Sequence, residues 1–316
     1  MEGSERELFE QSLRQATDRH SGPALDAALT DIGWPDALAV EPHMAVATLF
    51  PLQGTANATS SALDWVMAGA LGLDGRGPPA VVLPAAGSRD EPGRLTSDRL
   101  VLRGLGTPAL QRADRVVVAA AGTIWGCSQA ALTLRPIKGV DPAFGLVEVS
   151  GDGLANDPLP LEAGRTWGSA ISLAQLALAH ELTGAAAKML ELARQHALDR
   201  IQFGQPIARF QAVRHRLAEA LVAIESAKGV IAAAWETPSP VLCAAAKALA
   251  GRGALTAARH CQQVLAGIGF TAEHPFHLYF RRVLLLDQLV GSSRSLTEAL
   301  GRDLLATGRL PVLMPL

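Results

Sequence analysis

Cysteine is scarce in this 316-residue chain, with only Cys127, Cys243 and Cys261, widely spaced and odd in number. Three such residues build neither a disulfide framework nor a zinc site, and they suit buried thiols in a reducing compartment. An excess of one charge is also missing. Twenty-eight basic residues against thirty acidic ones leave a net charge of −2, without the basic surplus of a nucleic-acid binder. Long apolar runs are absent too: stretches such as Val116 to Cys127 stop short of the ~18–20 residues of a membrane span. The charged opening MEGSERELFEQSLRQ has no apolar leader core. A soluble, cytoplasmic protein is the expectation.

Several catalytic signatures fail. His180-Glu181-Leu182-Thr183-Gly184 begins like H-E-x-x-H, but the fifth position is glycine, so no two-nitrogen metal face forms. It reads as a polar pair on a helix surface. Glu273-His274 with His277 reads as an acidic residue at a positive helix start, not as a ligand cluster. Gly267-Ile268-Gly269 follows a helix pattern, so it is no dinucleotide fingerprint. No G-x-S-x-G elbow and no phosphate-binding Walker loop occur.

What is present falls into three parts. Residues 1–77 read as a helical domain, with helix-like stretches at Ser4 to His20, Gly22 to Ile32 and Thr59 to Leu71. Gly33-Trp34-Pro35 and Glu41-Pro42 punctuate them, and Gly75-Arg76-Gly77-Pro78-Pro79 ends the part. Residues 78–160 read as a small antiparallel sheet or barrel, with strands at Ala80–Pro84, Arg99–Gly104, Arg115–Ala121, Gln129–Pro136 and Gly145–Ser150. Residues 161–316 read as a four-helix bundle. Ile171, Leu178, Leu182, Met189, Leu192 and His196 share one face of the first helix. Ile207, Phe210, Val213, Leu217, Leu221, Ile224 and Ile231 mark the second, with Pro206 in its first turn. An alanine-rich helix follows over about 240–265 and a last one over about 275–306. Helices of roughly 25–35 residues make a bundle about 40–50 Å tall.

The loop between the first two bundle helices, Leu198-Asp199-Arg200-Ile201-Gln202-Phe203-Gly204-Gln205-Pro206-Ile207, is the richest in chemistry. Its arginine presents a planar fork suited to a phosphate, and helix ends bring backbone N–H groups to the same anion. An interhelical connection whose arginine only caps carbonyls fits the residues equally well.

This loop, continued through Ala208-Arg209-Phe210-Gln211-Ala212-Val213, closely resembles the R-x-Q-F-G-x-P-I-x-x-F-Q-A-V motif of the acyl-CoA dehydrogenase flavoproteins. Gln263 through Pro275 is similar to that family's Q-x-x-G-G-x-G stretch ending in E and H or Y, with Ala266 replacing the first glycine of the pair. The resemblance covers about residues 165–295. It implies a multidomain α+β fold: an N-terminal helical domain, a middle β domain and a C-terminal four-helix bundle. It also implies FAD, whose ADP half would meet Arg200 at the pyrophosphate, with Gln202, Phe203, Gln211, Gln263 and Gly267 around it.

Other family features are not matched. A Y-C-x-T-E-P-x-A-G-S-D signature covers the isoalloxazine ring in that family, whereas this chain reads Ala80-Val81-Val82-Leu83-Pro84-Ala85-Ala86-Gly87-Ser88. The flanks of Trp125 do not match the family's tryptophan strand, and the N-terminal part is short. The two places where the family carries its catalytic glutamate hold Val290 and Ala174, and Glu162 and Glu181 are off-register. No catalytic residue is therefore assigned. The combination resembles the smaller subunit of actinobacterial, sterol-degrading heteromeric acyl-CoA dehydrogenases. That implies a heterotetramer in which a larger partner supplies the base and most of the acyl-CoA site, and FAD is shared. A homomeric dehydrogenase with an unrecognised base and a flavin-free association subunit remain the alternatives.

Overall fold

The computed structural model describes residues 3–73, 80–96, 99–154, 157–159, 161–162 and 164–308. The Gly75-to-Pro79 breaker and Pro160, at the two expected part boundaries, lie outside the described residues.

The N-terminal part holds α1 (Gly3–Arg19), α2 (Pro23–Ile32), α3 (Trp34–Val40), α4 (Pro42–Ala56) and α5 (Ala62–Leu71). The Gly33-Trp34-Pro35 and Glu41-Pro42 breaks turn out to be helix starts. Proline at the first turns of α3 and α4 lacks only an N–H that would be unpaired there anyway. Helix α4 buries its middle, from Met44 to Gly54 in large part, and Trp34, Leu49 and Phe50 lie in a core that also takes in Ala177 further along the chain.

The middle part is a seven-stranded sheet. Its strands are β1 (Gly93–Thr96), β2 (Arg99–Gly106), β3 (Arg115–Ala120), β4 (Thr123–Ser128), β5 (Thr133–Pro136), β6 (Val147–Leu154) and β7 (Asp157–Pro158), in the order β5-β6-β2-β1-β3-β4-β7. It is mixed, not antiparallel as expected, because β1 runs parallel to β3 with Gly93 opposite Ala120. Residues 80–84 form no full strand. They contribute bridges from Val81 to Val117 and from Leu83 to Leu105, which thread them across the sheet. Gln129–Ala131 is a 3-10 turn in place of the expected strand start.

The bundle begins with α6 (Trp167–Asp199), opened by a reciprocal cap in which Thr166 Oγ1 accepts from the Ser169 N–H and Ser169 Oγ from the Thr166 N–H. A two-residue hairpin, β8 (Ile201–Gln202) with β9 (Gln205–Pro206), leads into α7 (Gln211–Glu236). Pro206 therefore lies in the hairpin, and Leu221 is exposed, contrary to its place on the expected buried face. Next come α8 (Pro240–Leu265), a 3-10 turn over Ala266–Phe270, α9 (Phe276–Gln288) and α10 (Ser293–Thr307). The last expected helix is thus two helices. Val290 at φ +57° and Gly291 at φ +100° put left-handed backbone where a helix cannot continue. The span Pro240–Phe270 is long and apolar enough to cross a membrane by length and composition, but 61% of its apolar window is buried in the fold. Its alanines face α6 and α7, and small side chains let these helices pack closely.

Glycine sets the closest approach between the N-terminal part and the bundle. A Cβ at Gly54 of α4 would run into the Glu181 carbonyl oxygen of α6, and one at Gly184 into the Pro51 carbonyl oxygen. The two backbones touch, with no room for a ligand between them.

Candidate functional site

The short connections make α6, α7 and α8 alternate in direction, so the end of α6, the start of α7 and the end of α8 share one end of the bundle. Side chains tie it together: His260 of α8 lies 3.3 Å from Glu219 and 3.4 Å from Arg216, both of α7. All six residues expected to hold the ADP half of FAD stand here.

Arg200 caps α6 through its backbone N–H, which donates to the His196 carbonyl at 2.9 Å. Its side chain is exposed and makes no hydrogen bond or ion pair among the described residues, so it does not cap carbonyls. The hairpin turn is Phe203-Gly204, with φ of +52° and +77°. Glycine accepts that backbone freely, but phenylalanine does so at a cost, and the turn holds its ring 92% exposed. Phe203 meets the edge of the Phe210 ring, at 6.0 Å and 88°. Positive φ at both central residues is what a two-residue hairpin turn requires. Gln202 folds back, Nε2 donating to the Ile201 carbonyl at 2.8 Å. Gln211 and Gln263 are exposed, and an added Cβ at Gly267 would meet nothing within 4 Å. Its neighbour Ala266 sits at φ +52°, ψ −133°, backbone that glycine tolerates and alanine resists.

Two histidines at this end are held neutral more easily than usual. Burial and then the nearby Arg200 hold His196 below its ordinary range, with Asp199 opposing. Burial, then His196 and His277, do the same to His274. Glu273 is not the cap of α9. Pro275 holds the cap position, and just before it His274 Nδ1 accepts from the Phe276 N–H at 3.2 Å, which makes Nδ1 the unprotonated nitrogen of the ring. The free guanidinium, displayed ring and open glycine fit the pyrophosphate and adenosine half of FAD.

At the other half, the full flavin-loop signature expected from the resemblance is not present, and its place is taken by the Gly87 loop. The Gly87 loop of the β domain is bonded directly to the elbow between α9 and α10. Gly87 N–H donates to the Gln288 carbonyl at 2.8 Å, and Ser295 Oγ donates to the Gly87 carbonyl at 2.7 Å. Behind the elbow, buried Lys247 of α8 donates to the carbonyls of Asp287 and Gly291 at 3.2 and 3.3 Å. Burial pulls this ammonium down to about 8, with Asp287 opposing. Val290 and Ala174 are both fully buried. Trp125 turns its Nε1–H to the Ala120 carbonyl at 3.0 Å.

Sequence reasoning missed two buried acids. Glu181 is 2% exposed and His180 accepts from Trp235 Nε1 at 3.0 Å, so they are no surface pair. Asp64 is fully buried, accepting from Thr107 Oγ1 and the Val81 N–H, and burial lifts its carboxyl to about 7. Their partners lie far away in sequence, so no local pattern marks them. Among the described residues no group of three metal-ligating side chains forms.

Residues 166–305 match the family model of the acyl-CoA dehydrogenase C-terminal domain. The chain is 35% identical over 188 residues to acyl-CoA dehydrogenase IpdE2 of Mycobacterium tuberculosis, across 60% of this chain and 56% of that one. It is 38% identical to the protein of that name in Mycolicibacterium smegmatis, across 38% and 39%. The chain thus spans about half the length, or less, of these curated relatives. In three dimensions it is similar to the Tcur3481-Tcur3483 steroid ACAD, with a TM-score of 0.80, 20% identity and coverage of 97% and 99%. The ChsE4-ChsE5 complex from Mycobacterium tuberculosis gives 0.76, at 18% identity and 99% of each chain. Residues 166–305 thus resemble the acyl-CoA dehydrogenase C-terminal domain, and the chain as a whole has the acyl-CoA dehydrogenase fold of N-terminal helices, β middle region and C-terminal helices.

Proposed function

We propose that this chain is one subunit of a heteromeric, FAD-dependent acyl-CoA dehydrogenase that desaturates an acyl-CoA thioester between its α- and β-carbons. The observation that carries this reading is the contrast between the two ends of its would-be flavin site. The bundle end offers an unpaired arginine and an exposed aromatic, while the Gly87 loop and the α9–α10 elbow are joined by hydrogen bonds.

Bound FAD would supply the acceptor for the hydride that leaves the β-carbon. This chain's part is to hold the cofactor's distal half. Arg200 would pair with the pyrophosphate through a charge-assisted fork, Phe203 and Gln202 would line it, and Gln211, Gln263 and Gly267 would meet the adenosine side. A larger partner subunit would supply the glutamate that removes the α-proton, the isoalloxazine pocket and most of the acyl-CoA site, in a heterotetramer. Two relatives whose names pair unlike chains support the heteromeric assembly, and the one named a steroid ACAD supports a bulky, steroid-derived acyl group.

Co-purification tests the reading. A yellow complex that requires a second, longer chain supports it. A yellow protein from this chain alone points to a homomeric enzyme, and a colourless homo-oligomer to an association subunit.

A further inference from the structure

Where the N-terminal helices, the β domain and the bundle meet, the fold closes over three ionisable side chains that flavin binding does not use. Arg282 of α9 is 1% exposed, and each of its three guanidinium nitrogens donates a hydrogen bond. Nε donates to Asp141 Oδ2 at 2.7 Å, Nη1 to the Ala58 carbonyl at 2.7 Å and Nη2 to Thr59 Oγ1 at 3.1 Å. Asp141 stands at the start of the β-domain turn Pro142–Phe144, and the Phe144 ring centre lies 5.1 Å from the guanidinium carbon. One cation thus pins three parts of the molecule together.

The third group is Glu181 of α6. Its Oε1 is 3.7 Å from Arg282 Nη1, too far to accept a hydrogen bond, and that oxygen has no partner among the described residues, although the Gln53 side chain hydrogen-bonds the carboxyl. Asp141 already balances the arginine's charge, so an ionised Glu181 would leave the enclosed cluster with a net negative charge. The charged group facing it from α9 is Arg282; Tyr279, one turn earlier on that helix, donates its hydroxyl to the Thr55 carbonyl at 3.0 Å. Asp141 comes from the β domain, and α4 adds the uncharged amide of Gln53. His180, its neighbour on α6, bonds Trp235 instead.

We propose that Glu181 is a protonation-controlled latch: as the neutral acid it lets the N-terminal helices close on α6 and α9, and as the carboxylate it loosens that junction. Burial lifts this carboxyl from its ordinary 4.5 to about 7, against the pull of Arg282 and Gln53 and with a push from Asp141. A folded value above the unfolded one means that the stabilising contribution is complete below about 4.5 and is lost as pH rises through about 7. Between those values, each pH unit raises the opening constant about tenfold through this group alone. Asp64 acts in the same direction, whereas His180, lowered by burial to about 4, acts in the opposite one. Comparison with variants at each pH isolates Glu181.

The test is hydrogen exchange on the full-length chain, reading protection factors in residues 53–59 and in α9 at pH 5.5 and pH 8. Glu181→Gln should remove a pH-dependent loss of protection of roughly 30-fold, the share one proton gives between pH 5.5 and about 7. Asp141→Asn frees Arg282 to face an ionised Glu181, so it should shrink the same loss. A Glu181→Gln chain that keeps the wild-type pH response overturns the latch. So does an unchanged response in Asp141→Asn, which keeps the question decidable should the first variant fold poorly.

Discussion

Gln175 Nε2 donates a hydrogen bond to the carbonyl oxygen of Val290 across 3.2 Å. That bond brings together the two places, far apart in sequence, where the resemblance to acyl-CoA dehydrogenases leads one to expect a base. Ala174 precedes Gln175 on α6, Val290 forms the elbow between α9 and α10, and both are fully buried and apolar. Neither accepts a proton. Val290→Ala should therefore leave turnover of the assembled complex within about tenfold, measured by steady-state kinetics. A general base contributes roughly 10²–10⁴-fold, so a loss of that size would give Val290 a part in the chemistry that its side chain cannot play.

Arg200→Ala deletes the proposed pyrophosphate contact without touching the buried faces of α6 or α7. Flavin affinity of the complex should fall about 30-fold or more, with flavin lost on gel filtration and activity partly restored by excess FAD. Arg200→Lys should be intermediate, since it keeps the charge and loses the fork. A lower melting temperature with flavin content unchanged would instead mark Arg200 as structural.

Ala266→Gly should stabilise the chain by about 1 kcal/mol, because alanine at φ +52° carries a strain that glycine lacks. Thermal denaturation reads this as a rise in Tm. A fall would mean that the alanine methyl makes contacts worth more than the strain.

Gly184→Ala places a methyl against the Pro51 carbonyl oxygen, and backbone cannot move aside as a flexible side chain does. A loss of about 3 kcal/mol or more is expected from chemical denaturation, above the usual cost of overpacking. A near-neutral result would show that α4 and α6 separate more easily than their contact suggests.

Much of the fold was legible in the residues. The three-part order and the lengths of α6, α7 and α8 follow from periodicity, whereas the β8–β9 hairpin does not, because those residues read as a plain loop with Pro206 opening the next helix. The elbow at Val290 was not, because a β-branched residue in left-handed backbone is held by distant bonds from Gln175 and Lys247, not by local preference. Pro35 and Pro42 misled in another way, since proline ends one helix and starts another equally well. The Arg282 cluster joins residues from all three parts of the fold, and no window of sequence contains it. At the candidate site, the motif located six residues, but only the structure shows that Arg200 is unpaired and Phe203 displayed.

If this chain holds half of a flavin and a partner holds the rest, colour should follow the complex. The decisive quantity is flavin absorbance per chain for three samples: the isolated protein, the complex with a longer acyl-CoA dehydrogenase subunit, and that complex carrying Arg200→Ala in this chain only. The isolated chain should be colourless, the complex yellow, and the variant complex should bleach on dilution. Stoichiometric flavin in the isolated chain, or a variant complex that keeps its colour, would contradict the shared site.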